Sequence, residues 1–202
     1  MNKRKIFVVG GDNGYANWME GEIIQDMNDA DLVVFTGGED VSPWLYAADA
    51  HPSTCYNVRR DEAEVAEFKK ARGLGFPMVG ICRGSQFLCA MAGGKLVQHQ
   101  HHPSRHNINT KDGLVIEVTS SHHQRQYPFG LCEFELIGWC SLSPFAWGEE
   151  NEDLSGKPEV EIAYYPKIKA LAIQSHPEWQ DLDSPSIAYF RNLLDKHMEG
   201  AL

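Results

Sequence analysis

The sequence predicts an α/β fold: a mostly parallel central sheet flanked by helices, with a small antiparallel addition. Three patterns carry that expectation. Short, continuously apolar runs end in glycine-rich turns, as buried parallel strands do. Between them lie charged segments with helical spacing. In the second half, apolar and polar residues alternate, the mark of half-exposed strands.

Taken in order, Lys5 to Val9 followed by Gly10-Gly11 predicts the first buried strand. Trp18 to Met27 is read as a helix. Asp31 to Phe35, followed by Thr36-Gly37-Gly38, is the second strand. From Asn57 or Arg59 to Ala71, apolar residues at Ala63, Val65, Ala66 and Phe68 stand among charges and predict a surface helix. Pro77 to Ile81 is the third strand and Gly84 to Ala92 a helix closed by Gly93-Gly94. Leu114 to Val118, Cys132 to Ile137 and Val160 to Tyr165 read as antiparallel additions, and Leu171 to Ile173 as a further apolar strand. Ser184-Pro185 supplies a cap and a first-turn proline for a last helix ending near Met198. Without repeats or a linker, residues 1 to 202 are expected to form one domain.

The chain has 202 residues and a formal net charge of -10, with a pI of about 5.3. That balance argues against nucleic acid or an anionic membrane as partner. The acidic run Glu149-Glu150-Asn151-Glu152-Asp153 reads as a solvated loop. No stretch is long enough to span a membrane or serve as a signal core, so the cytoplasm is expected. Five cysteines without regular spacing fit reduced thiols.

Cys82 lies at the centre of Gly80-Ile81-Cys82-Arg83-Gly84, between a predicted strand and a predicted helix. Flanking glycines let a backbone pass where a Cβ would collide, so this is a nucleophile elbow written with cysteine. A helix N-terminus favours thiolate over thiol. A lone cysteine is more often a small core residue. A second segment shifts the balance: the strand Leu171 to Ile173 leads to His176, with Glu178 two residues on. A cysteine nucleophile needs a base, and the base needs a group that orients it. Ligands of open α/β sheets bind outside the carboxyl ends of strands. Thr36-Gly37-Gly38, Cys82 and the His176–Glu178 pair all fall at such ends. Backbone N–H groups of Arg83 and of Gly37 or Gly38 are therefore candidate oxyanion donors. Taken alone, Gly37-Gly38 reads first as an ordinary strand-to-loop turn.

These residues resemble the class I glutamine amidotransferases, a cysteine-triad family with a flavodoxin-like fold. Gly80 to Gln86 is similar to the family's nucleophile motif and His176-Pro177-Glu178 to its base motif. Gly37 to Pro43 with Tyr46, Gly93 to Leu96, His106, and Ser121-His122-His123-Gln124 are similar to its γ-glutamyl hydrolase branch, which includes γ-glutamyl-GABA hydrolase. The resemblance spans residues 30 to 182, with departures at Ser85 and Ser175. It implies Cys82 as nucleophile, His176 as base then acid, and Glu178 as orienting carboxylate. It also implies oxyanion donors at Gly38 and Arg83, and contacts from Gly37, Gln86, Ser121 and His122 to a γ-glutamyl substrate.

No cofactor is expected. His99, His101, His102 and His106, with His122-His123 further on, suggest a metal, but no ligand spacing repeats. The expectation is that they rim the mouth of the site, and that no metal is bound. Trp44, Tyr46 and Trp179 are expected to wall the pocket. Three functions remain open: a free-standing γ-glutamyl amide hydrolase, a glutaminase subunit serving a separate synthetase, and a non-catalytic ligand- or metal-binding module. The sequence holds no GxxxxGK[ST], so a synthetase would be another chain.

Overall fold

Lys5–Val8 (β1), Glu22–Ile24 (β2) and Leu32–Phe35 (β3) begin the sheet in a computed structural model, which describes residues 3–100, 103–140, 146–147 and 157–198. The helix expected over Trp18 to Met27 is absent. Asn17–Met19 makes one 3-10 turn, which Glu20 ends with φ of 55°. Gly21 then passes where a Cβ would strike the Ile6 side chain. Glu22, Ile23 and Ile24 pair in parallel with Lys5, Ile6 and Phe7. The β-branched pair satisfies its backbone in the sheet, and this outweighs a helical pattern under three turns long.

Val58–Leu74 (α1) is capped by Asn57, whose side chain accepts from the Arg60 N–H at 3.3 Å, and it ends at Gly75 with φ of 76°. Met78–Ile81 (β4) and Arg83–Met91 (α2) meet at Cys82. Next come Lys95–Val97 (β5), His99–Gln100 (β6), Arg105–Thr110 (β7), Val115–Thr119 (β8) and Arg125–Tyr127 (β9). Glu135–Cys140 (β10), Ala146–Trp147 (β11), Glu159–Tyr165 (β12), Ala170–Ile173 (β13) and Pro185–Met198 (α3) follow. The acidic run at 149–153 lies outside the described residues. Strand β10 starts three residues later than the pattern suggested. Its register against β12 is irregular around Gly138, which packs onto Ile162.

The main sheet runs β2-β1-β3-β4-β13-β12-β10-β7-β8, with β9 and β5 attached beside β12. Strands β2, β1, β3, β4 and β13 are mutually parallel, and the strands beyond β13 are antiparallel. The fold is therefore α/β, with a mixed sheet whose parallel half is continuous. Period-two alternation sends each parallel strand's side chains to both faces. Leu32 and Val34 join one apolar layer with Phe190 and Leu193 of α3. Val33 and Phe35 join the other with Phe68 of α1 and Phe87 of α2. Burial on both faces explains why these strands read as unbroken apolar runs. No helix among the described residues is long and apolar enough to cross a membrane.

The elbow glycines are required by contact. A Cβ on Gly80 would run into the Gly84 carbonyl, and one on Gly84 into the Phe35 carbonyl. Gly84→Ala is expected to destabilise the fold by about 1–3 kcal/mol or more, through overpacking against backbone. Gly73→Ala meets nothing within 4 Å and is expected to be neutral or to stabilise by up to about 1 kcal/mol. Urea unfolding midpoints of the two variants check this.

Candidate active site

The turn between β4 and α2 holds Cys82 at φ of 52° and ψ of -111°. That is an unusual conformation for a residue with a Cβ. The Cys82 N–H donates to the Ile173 carbonyl at 2.9 Å, which pins the turn to β13. Its carbonyl accepts from the Ser85 N–H at 3.0 Å and the Ser85 hydroxyl at 2.6 Å. Cys82 therefore projects into a cleft of about 320 Å³ at the carboxyl edge of the parallel strands.

His176 enters the same cleft three residues beyond the end of β13. Its backbone is held twice by Thr119: His176 N–H donates to the Thr119 carbonyl at 2.8 Å, and the Thr119 hydroxyl donates to the His176 carbonyl at 2.9 Å. Nδ1 lies 2.6 Å from Glu178 Oε1, and Nε2 lies 3.0 Å from the Ser121 hydroxyl. The ring stacks on Trp179 at 3.7 Å between centroids, with the planes 6° apart. Burial opposes a charge on His176. Hydrogen bonds to Cys82 and Glu178, together with their negative charge, outweigh it and raise the pKa to about 9. An imidazolium at neutral pH also gains from the Trp179 face.

Of the predicted residues, Cys82, His176, Gly38, Gln86, Ser121 and His122 line the cleft. Glu178 stands behind His176. Gly37 lies beneath the Tyr15 hydroxyl and the His176 ring, where a Cβ would come within 2.8 Å of the former and 3.2 Å of the latter. Among the described residues, neither the Gly38 N–H nor the Arg83 N–H has a backbone acceptor. For Arg83 this follows from its place at the start of α2. Gln86 donates to the Gln124 carbonyl at 2.9 Å and braces the Ser121–Gln124 segment.

The Arg83 side chain turns away from the cleft. It is 1% exposed and bonds Asp61 and Glu64 of α1. Asp61 also accepts from the Ser42 N–H at 3.2 Å and from the Ser42 hydroxyl. Glu64 accepts from Arg60 Nε at 2.8 Å, and Arg60 Nη2 donates to the Gly37 carbonyl at 2.9 Å. Helix α1 thus ties the elbow to the Thr36–Ser42 loop. It is the surface helix expected from its pattern, but two of its carboxylates, Asp61 and Glu64, are buried with Phe68 and Ala71 on its inner side.

Several expectations fail. Tyr46 packs in the core with Val33, Phe35 and Phe68, and Trp44 is exposed and does not line the cleft. Only Trp179 of the three aromatics walls it. His99 stacks on His51 and meets His123 at 3.3 Å, and His123 lines the cleft. His101 and His102 lie outside the described residues. His106 points away from the mouth, to Glu161 at 3.3 Å. Glu39, Asp40 and His123, from the two quoted motifs, line the cleft, and so do Tyr15 and Cys55, which the sequence reading did not place there. Tyr15 follows the glycine turn after β1, so the rule of strand carboxyl ends, applied to that strand too, points to it. Burial, then the charges of Glu178 and Cys82, raise its pKa against the opposing effect of Arg60, and its hydroxyl keeps its proton. A bond to Asp40 at 3.2 Å raises the pKa of His123.

The mixed sheet with a cysteine elbow at its carboxyl edge is the fold of the glutamine amidotransferase-like proteins. The chain belongs to the Peptidase C26 family, whose pattern matches residues 17–128. The glutamine amidotransferase-like protein YvdE of Lactococcus lactis is 41% identical over 171 residues, 73% of this chain and 66% of that protein. The carbamoyl phosphate synthase small chain of Campylobacter jejuni is 27% identical over 117 residues, 57% of this chain and 28% of that one. The crystal structure of a glutamine amidotransferase from Thermotoga maritima shares the fold, with a TM-score of 0.61 at 14% identity over 100% of this chain and 91% of that one. The chain spans between 23% and 66% of the length of the curated relatives it matches.

Two outcomes follow from this geometry. Arg83→Met leaves Asp61 buried without its cation and Glu64 with Arg60 alone and is expected to cost about 3–5 kcal/mol of stability by chemical denaturation. The raised pKa of His176 stabilises the fold fully below the unfolded value near 6.5. That contribution is lost as pH rises through about 9. In a ring-proton NMR titration, Cys82→Ala is expected to lower the His176 midpoint.

Proposed function

We propose that the chain hydrolyses a γ-glutamyl amide, either glutamine or a γ-glutamyl amine, through a thioester on Cys82. The observation that carries this reading is the placement of His176. One ring nitrogen is held by Glu178 at 2.6 Å, and the ring lines the same cleft as the Cys82 thiol.

In this reading His176 and Cys82 share the thiol proton, and the sulfur attacks the γ-carbonyl carbon. The N–H groups of Gly38 and Arg83 hold the oxyanion of the tetrahedral intermediate. His176 passes a proton to the leaving nitrogen, the C–N bond breaks, and a γ-glutamyl thioester remains. Water then adds to the thioester with its proton going to His176, and glutamate leaves as the thiol is restored. Glu178 keeps Nδ1 as a donor and so aims Nε2 at the reacting atoms.

The γ-glutamyl hydrolase branch is supported by what lines the cleft. The loop of Gly38, Glu39 and Asp40 and the segment of Ser121, His122 and His123 both line it, and they meet where His123 bonds Asp40 at 3.2 Å. The glutamyl end of such a substrate carries an ammonium and a carboxylate. A cleft lined by both carboxylates and imidazoles offers partners to each of those charges.

A second reading, ammonia delivery to a separate synthetase chain, draws support from the match to a carbamoyl phosphate synthase small chain. Assays of the isolated protein on glutamine and on γ-glutamyl amines separate the two. Turnover of γ-glutamyl amines without a partner supports the hydrolase, and activity that appears only with a synthetase supports the subunit. Cys82→Ala is expected to abolish release of amine or ammonia with the fold intact. Quenched wild-type protein is expected to carry a glutamyl adduct on Cys82 by mass spectrometry. Wild-type turnover by Cys82→Ala would exclude the mechanism.

A further inference from the structure

Behind the wall of the cleft that carries His122, three strands of the antiparallel half bring together His106 of β7, Cys140 of β10 and Glu161 of β12. One imidazole nitrogen, the Cys140 sulfur and one carboxylate oxygen all lie within 4.8 Å of one another. Glu161 Oε1 is 3.3 Å from His106 Nε2 and 3.9 Å from Cys140 Sγ. A tetrahedral ion with bonds of about 2.0–2.3 Å sets its ligand atoms about 3.3–3.8 Å apart. The spacing therefore needs little adjustment.

His122 borders this group beside Glu161. Its Nδ1 lies 2.9 Å from the Gln124 carbonyl, so the ring donates there and Nε2 carries the lone pair of the neutral tautomer. That Nε2 is 4.0 Å from Glu161 Oε1. A metal-bound histidine commonly shows this arrangement, its far nitrogen fixed by a backbone carbonyl. The group is buried: Glu159 and Glu161 are 2% and 1% exposed, and Glu159 bonds the Cys140 thiol and lies 3.5 Å from Arg125.

We propose that His106, Cys140 and Glu161, with His122, form a structural site for a divalent ion of the zinc class. Imidazole, thiolate and carboxylate donors select such an ion over magnesium or calcium. On binding, the Cys140 S–H bond breaks, its proton passes to solvent, and a sulfur–metal bond forms. The ion would tie β7, β10 and β12 to the segment holding Ser121 and His122 in the cleft. The sequence reading missed the site because its ligands come from four separate segments and follow no short spacing.

The test uses tag-free protein stripped with a chelator, desalted and titrated with cobalt(II). One equivalent is expected to bind and to give the near-ultraviolet sulfur-to-cobalt charge-transfer absorption, which zinc(II) then bleaches. The band is expected to persist in Cys82→Ala, to vanish in Cys140→Ser, and to need at least about tenfold more cobalt in Glu161→Gln or His106→Ala. Should Cys140→Ser fail to fold, Cys82→Ala and Glu161→Gln decide. No band with excess cobalt, a band lost with Cys82, or unchanged affinity in Glu161→Gln would each overturn the proposal.

Discussion

Arg83 held between Asp61 and Glu64 is the interaction on which the arrangement of the site depends. It joins three pieces of chain that meet nowhere else in sequence: the start of α2, the first two turns of α1, and through Ser42 the loop after β3. A buried guanidinium between two carboxylates is geometrically demanding, since its forked donors accept only a narrow range of approach. Arg60, one residue before Asp61, extends the same clamp to the carbonyl of Gly37. The Gly38 and Arg83 N–H groups, proposed as oxyanion donors, thus belong to segments locked together by charge.

The parallel half of the fold was legible because its physics is local. Strands buried on both faces need apolar residues at every position, and Leu32 to Phe35 and Met78 to Ile81 have them. The elbow was legible too: Gly80 and Gly84 are needed for backbone contacts that any Cβ would block. The misread segment, Trp18 to Met27, is one where pairing along β1 decides the outcome, and nothing in those residues announces a partner. Helix α1 was legible as a surface helix, but nothing in its own residues singles out the two carboxylates it buries. Asp61 and Glu64 look like any exposed carboxylates until Arg83, on another helix, is brought beside them.

The cleft shows the same division. Cys82, His176 and Glu178 stand in motifs of a few residues and were read directly. Tyr15, Asp40 and His123 reach the cleft from separate loops, and only the sheet order brings them together. The histidines separate in an instructive way. His123 leans on Asp40 at the cleft, while His106 alternates to the opposite environment along β7 and meets Glu161. Composition alone grouped them, and strand geometry divides them.

The conformation of Cys82 carries an evolutionary consequence. A left-handed φ with ψ of -111° costs a residue bearing a side chain about 1–3 kcal/mol, and glycine escapes most of that penalty. Replacing the thiol by glycine would therefore ease the backbone while silencing any chemistry that depends on sulfur. Drift toward an inert, sturdier scaffold runs downhill in folding energy, so under the proposed mechanism selection on turnover is what would hold the position at cysteine. Descendants that have shed their chemistry should betray themselves first at this single codon, with the surrounding glycines and the buried arginine clamp still in place.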